Sequence, residues 1–198
     1  MTIKYLTQEQ WERLLKVIKI PRDRALFQVA YWRGLRASEV GLLTCGDWRP
    51  GAKRLYVRRQ KNGISGEYVV SDPESKALGA WLRGYHDYTD SDPLFPSSHR
   101  KGISRRRLDE LMKGYGGKAG LPPDLQHFHV LRHSIAVHLT DAGFSIQDIR
   151  DWLGHRSINS TAIYAQVSSK RRQDVAQEFY EKTLGGKKTR IEWKRGKQ

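Results

Sequence analysis

Apolar residues recur along this chain in two rhythms, and the change from one to the other divides it into elements. Thr7-Gln8-Glu9-Gln10 has the form of a capping box, in which the threonine oxygen and the glutamine side chain satisfy free amides at a helix start. Trp11, Leu14, Leu15 and Ile18 follow at helical spacing, Pro21 closes that segment, and Leu26, Val29, Ala30 and Trp32 carry a second helix as far as Gly34. Ser38 is placed to cap a short third helix with Glu39 in its first turn, where the helix dipole favours a carboxylate. From Arg54 the period drops to two. Leu55 and Val57 alternate with Tyr56 and Arg58, Asn62-Gly63 and Gly66 turn the chain, and Tyr68-Val69-Val70 returns, which predicts a small hairpin.

Helical spacing resumes at Pro73 with Leu78, Trp81 and Leu82, and the stretches 90–93 and 96–98, rich in Pro, Ser and Asp, read as an irregular connection. Ser104 opens a basic helix that turns Arg105, Arg106 and Arg107 outward and Leu108, Leu111 and Met112 inward. Beyond Pro122-Pro123, Leu131, Ile135, Leu139 and Ala142 make a stripe that Gly143 terminates, and Ser145 starts a helix with Ile146, Ile149 and Leu153 inward. A last helix is expected over about 170–183, followed from Gly185-Gly186-Lys187-Lys188 by a glycine-broken basic tail. The pattern predicts an α+β fold, mainly α-helical, with a small antiparallel β-sheet or hairpin. One domain over 1–184 and a tail over 185–198 account for the chain, with no internal repeat.

Composition narrows the partner. The 198 residues include 36 Lys and Arg against 21 Asp and Glu, a net charge of +15 that suits a polyanion far more than it serves solubility. Double-stranded DNA is the first candidate. An anionic membrane is disfavoured, because no run of 18 apolar residues exists and the N-terminus lacks the apolar core of a signal peptide. A soluble, cytoplasmic protein, associated with the nucleoid when bound to DNA, is expected. The single Cys45 excludes an intrachain disulfide and a cysteine-rich zinc site, and reads as a small buried hydrophobe.

Against this background a set of dispersed residues carries the chemistry. His129-x-x-Arg132 is followed by His155 and Tyr164, and preceded by Arg36, Glu39 and, in the hairpin, Lys61. A phosphodiester resists attack because its nonbridging oxygens repel nucleophiles and its alkoxide leaving group needs a proton. Two guanidiniums, Arg36 and Arg132, can hold those oxygens by charge-assisted hydrogen bonds. The Tyr164 phenol can attack phosphorus and keep the strand covalently, and Lys61 and His129 are candidates for moving the protons. His133 and His138 read as packing or hydrogen-bonding histidines. A zinc site among His127, His129, His133 and His138 is disfavoured because no HExxH arrangement is present, and no metal and no cofactor is expected.

In order and spacing these motifs, Arg36 with Glu39 three residues on, HxxR at His129 and Arg132, and Leu153-Gly154-His155 nine residues before Tyr164, resemble the tyrosine recombinase (phage integrase) family over nearly the whole chain. The resemblance implies that chain's fold is the family's catalytic-domain fold and that Arg36, Arg132 and His155 contact the scissile phosphate while Glu39 buttresses them. It implies Lys61 as general acid, with Lys53 and Lys76 as its neighbours in the same region, His129 in base or hydrogen-bond support, and Tyr164 forming a 3′-phosphotyrosine that frees a 5′-hydroxyl. The expected function is site-specific recombination for integration, excision or inversion of a DNA segment. The alternatives are a type IB topoisomerase-like relaxing enzyme and an inactive basic DNA-binding protein.

Arg105, Arg106, Arg107, Lys187 and Lys188 are the expected DNA contacts. A separate N-terminal DNA-binding domain, usual in the family, is not expected in this chain, whose extent is similar to that of recombinases of fimbrial phase variation. The segment 170–184 is expected to dock on a neighbouring protomer, giving a homotetramer on two DNA sites, with accessory DNA-bending proteins as further partners.

Overall fold

A computed structural model describes residues 3–60 and 63–165. Helix α1 (Gln8–Val17) begins at the Thr7 capping box, both halves of which form, with Gln10 N donating to Thr7 Oγ1 at 3.2 Å and Thr7 N to Gln10 Oε1 at 2.8 Å. Helix α2 (Pro21–Trp32) follows with proline in its first turn, where the missing N–H costs nothing. Its residues from Ala25 to Tyr31 are buried on every side, so α2 is a central helix with no exposed polar stripe along that stretch. Trp11 of α1 stacks on Tyr31 at 4.1 Å between centroids, and Phe27 meets Tyr115 and Phe128 edge-on.

After α2 the chain reverses at Gly34, with φ of +54°, and forms the single turn α3 (Ala37–Val40). The residue that precedes this turn is Arg36, and Ser38 lies within it. The expected Ser38 cap is therefore corrected: the Glu39 carboxylate reaches back and accepts the Arg36 backbone N–H at 2.9 Å. Strands β1 (Trp48–Arg49), β2 (Arg54–Val57) and β3 (Gly66–Val69) form an antiparallel sheet in that order, with Leu55 opposite Tyr68 and Val57 opposite Gly66. The expected hairpin is β2 with β3; β1 is an addition of two residues, too short to show a period in the sequence.

Helix α4 (Asp72–Leu82) packs on α2, and a wholly buried ion pair, Arg33 with Glu74 at 2.9 Å, links the end of α2 to the first turn of α4. The connection that follows is irregular, as expected, until Ser104 caps α5 (Arg105–Lys118) by accepting from Arg107 N. Helix α6 (Val130–Asp141) is the second central helix, buried at Val130, Leu131, Arg132 and from Ser134 to Val137. Ser145 caps α7 (Ile146–Leu153), Gly154 ends it, and α8 (Asn159–Ala165) packs against α6 and α7. The helix expected over 170–183 and the tail with Lys187 and Lys188 lie outside the described residues. No described helix is long and apolar enough to cross a membrane.

Candidate active site

Two helices end at the same place, and the end of a helix leaves carbonyls without intrahelical partners. The C-terminal carbonyls of α2 are those around Arg33 and Gly34; those of α7 belong to Trp152 and Leu153. Two buried guanidiniums bind across both sets. Arg132, 2% exposed, donates to Gly34 O and, at 3.0 Å, to Leu153 O. Arg59 donates to Arg33 O at 2.7 Å, Gly34 O at 3.3 Å and Trp152 O at 3.0 Å. Cations at helix C-termini also meet the negative end of the helix dipole, so the sites are favourable for charge as well as for hydrogen bonding.

Glu39 is the anionic centre of this group. Fully buried, it pairs with Arg36 at 2.6 Å and Arg59 at 3.1 Å, stands 4.0 Å from Arg132, and accepts the Gln60 N–H at 3.1 Å. Burial alone drives a carboxyl up; here Arg59 and the hydrogen bonds from Arg36 and Gln60 outweigh it, and the Glu39 pKa falls below its ordinary value. Three guanidiniums against one carboxylate leave two positive charges uncompensated inside the group. Arg36, with its side chain 20% exposed, is the guanidinium that keeps a face to solvent.

His155 enters from the loop after α7. Its Nε2 lies 2.6 Å from Arg132 Nη2, and because a guanidinium can only donate, that nitrogen accepts. The ring proton is then on Nδ1, which donates to Thr161 Oγ1 at 2.8 Å. Burial, then the charges of Arg132, Arg36 and Arg59, push the His155 pKa down to about 4, so the ring is neutral near neutral pH. The same forces lower Arg132 to about 10. His129 precedes the first turn of α6 and is exposed, yet the loss of water around part of its ring, with His133, Arg132, Arg36 and Arg105 near it, pushes it down to about 4.

Tyr164 sits on α8 with 2% of its surface exposed, and its hydroxyl is 3.0 Å from His133 Nδ1. Burial raises its pKa against the opposing pull of Arg132 and Arg36. The histidine against the phenol is thus His133, while His129 meets the edge of the His133 ring at 4.5 Å between centroids. His138 faces elsewhere, between the Tyr31 hydroxyl at 2.6 Å and the Leu6 carbonyl at 2.9 Å. Among the described residues no group of three or more His, Cys, Asp or Glu gathers as metal ligands would.

The structure therefore brings Arg36, Glu39, Arg132 and His155 into one bonded group, with Tyr164 and His129 joined to it through α6. Lys61 lies outside the described residues; its neighbours are anchored at the site, Gln60 by Glu39 and Ile64 by a 3.0 Å bond from its N–H to Gly154 O. Lys53 instead pairs with Asp72 at 2.7 Å and Lys76 is exposed on α4. Arg105, Arg106 and Arg107 are exposed at the start of α5, where Arg106 and Arg107 both pair with Glu110.

Sequence reasoning missed Arg59. The signal was present: strict alternation puts residue 59 on the inward face with Leu55 and Val57, where a cation is out of place unless something buried needs it. His133 was legible only as a packing histidine, because nothing local ties it to residue 164.

The fold is mainly helical with a small antiparallel sheet, and its site sets an excess of guanidinium charge beside a buried phenol. Comparison with known proteins gives the family: the phage integrase family model matches residues 4–171, and the chain belongs to that family. Type 1 fimbriae regulatory protein FimB of Escherichia coli is 32% identical over 173 residues, which cover 84% of this chain and 86% of that protein. Tyrosine recombinase XerA of Pyrococcus furiosus is 34% identical over 191 residues, 92% of this chain and 65% of that one. The crystal structure of XerA recombinase matches with a TM-score of 0.77 at 26% identity, over 88% of this chain and 64% of that chain. XerH bound to palindromic difH substrate in a post-cleavage complex shares the fold, with a TM-score of 0.76 at 21% identity over 91% of this chain and 54% of that chain.

Proposed function

We propose that this tyrosine recombinase domain cleaves and rejoins DNA at specific sites through a 3′-phosphotyrosine on Tyr164, and that it serves inversion, integration or excision of a DNA segment. The observation that carries the reading is the bonded group of Arg36, Glu39, Arg132 and His155, held at one point from three separate stretches of chain and carrying uncompensated positive charge. A nonbridging phosphate oxygen placed against Arg36, whose guanidinium keeps a face to solvent, and beside Arg132 meets the surplus positive charge of the group. Such preorganised donors stabilise the charge that builds up in the transition state.

In this scheme Glu39 fixes the guanidiniums rather than touching DNA. His155, neutral among the guanidiniums, gains a proton or turns its N–H to the phosphate once the anion offsets the cations that depress it. Lys61 protonates the departing 5′-oxygen, a role supported by the anchoring of Gln60 to Glu39. His129 gives hydrogen-bond support beside His133. DNA is the partner, as it is for XerH, which has the same fold and is bound to its difH substrate in its crystal structure. A tetramer on two DNA sites, accessory bending proteins and a nucleoid location belong to the same proposal. A relaxing enzyme without site preference and an inert binding protein have no observation in their favour.

The test is a nicked duplex from the native locus, in which cleavage releases a short strand and traps the protein. Denaturing electrophoresis is expected to show a covalent protein–DNA adduct that Tyr164→Phe abolishes. An adduct surviving in that variant moves the nucleophile elsewhere.

A further inference from the structure

A phenol that attacks phosphorus must lose its proton, and Tyr164 is buried where no bulk water can take it. The hydrogen bond that its hydroxyl makes among the described residues is to His133 Nδ1, at 3.0 Å, with the two rings 5.7 Å apart and tilted by 54°. In the tautomer that carries its ring proton on Nε2, His133 Nδ1 accepts the hydrogen bond and the phenolic proton points at it. Burial and the neighbouring Arg132 lower the His133 pKa, which keeps that lone pair free near neutral pH. The charged and titratable groups around His133 are Arg132 on its own helix, His129 just before that helix and Tyr164 on α8.

We propose that His133 is the general base of the cleavage step, a role sequence analysis gave to His129. The proposal rests on Tyr164 being the nucleophile. As Tyr164 Oη forms its bond to phosphorus, the phenolic proton passes to His133 Nδ1 and the bond from phosphorus to the 5′-oxygen breaks. The departing oxygen takes its proton from a separate acid, for which Lys61 is the candidate. In rejoining, the 5′-hydroxyl attacks, the tyrosine oxygen leaves and the imidazolium returns its proton, so nothing is consumed over the cycle.

The surroundings explain why the proton waits. Burial holds the phenol above its ordinary pKa and the imidazole below its own, so transfer without a phosphate is uphill and Tyr164 stays protonated. A scissile phosphate arriving beside Arg132 brings negative charge that offsets the cation disfavouring imidazolium. The base thus strengthens when substrate is present, and the phenol acidifies as its oxygen bonds to phosphorus.

The experiment uses the nicked duplex above in two forms, with oxygen or with sulfur at the scissile 5′ position; a thiolate leaves without an acid but the phenol still needs a base. His133→Gln, whose side-chain carbonyl can accept the hydrogen bond but not the proton, is expected to slow adduct formation roughly 100-fold on both forms. Lys61→Ala is expected to lose activity on the oxygen form and recover it on the sulfur form. Mobility shift at wild-type affinity for His133→Gln and His133→Asn confirms that both variants fold. A wild-type rate in His133→Gln, or a defect that sulfur erases, overturns the base assignment. An adduct persisting in Tyr164→Phe overturns the nucleophile instead.

Discussion

Gly154 is the residue on which the site's geometry depends most narrowly. It ends α7 with φ of +65°, a left-handed conformation that other residues adopt at a cost of about 1 kcal/mol or more. A methyl group added there meets Arg59 Nε and Ile64 O at 2.8 Å. Gly154→Ala is therefore expected to lower stability by roughly 2 kcal/mol in urea titration and to slow adduct formation by displacing His155; unchanged stability contradicts this account. His155 itself carries a pH signature. Its folded pKa of about 4 lies below the ordinary 6.5 of an unfolded chain, so the unfolded state binds the proton more readily between those values. The stability that His155 contributes is complete above pH 6.5 and is lost as pH falls toward 4, by roughly 2 kcal/mol at pH 5. Stability in urea at pH 7 and pH 5 should differ less in His155→Gln than in the wild type, and an equal difference in the two proteins removes His155 as the cause.

At the scale of elements, the joint of α2, α7 and the β2–β3 hairpin holds the site together, and Arg59 is its bolt. Its guanidinium closes carbonyls at two helix ends, bonds the Tyr68 hydroxyl at 3.1 Å and neutralises Glu39. Arg59→Met leaves those carbonyls and part of the Glu39 charge buried without partners, an effect of about 3 kcal/mol. Arg59→Lys keeps the charge but not the planar fork and should recover less than half of that in urea unfolding. Full recovery by lysine means that charge alone matters. This joint marks the limit of what the sequence could tell. The helices were legible because their caps and stripes are local: Thr7, Ser104 and Ser145 cap where expected. The HxxR and Leu153-Gly154-His155 motifs were legible because their order is shared with a family. Arg59 and His133 act through partners far off in the chain, and the Ser38 cap was misread because Glu39, held in place by Arg59 and the Gln60 N–H, closes the helix start on the Arg36 N–H instead.

Across the whole molecule, affinity for DNA rests on charge that the fold has already partly spent. Arg33 is paired with Glu74 and Arg59 is buried against carbonyls, so neither is free to coat a duplex. On α5 the side chains of Arg105, Arg106 and Arg107 are 81%, 91% and 53% exposed, but Arg106 and Arg107 share Glu110. Exposed ion pairs of this kind are worth well under about 1 kcal/mol, so phosphate can displace the carboxylate at little cost. Each arginine that then neutralises a phosphate releases counterions and adds about 0.9 to the steepness of log K against log salt. Replacing all three by glutamine should make that slope shallower by up to about 3, and by less to the extent that Asp109 keeps Arg105 and Glu110 keeps Arg106 and Arg107. Glu110→Gln should tighten binding at low salt, because the two arginines lose their competitor. Mobility shifts across a salt series check both, and a slope unmoved by the triple replacement places the duplex on a different face of the protein.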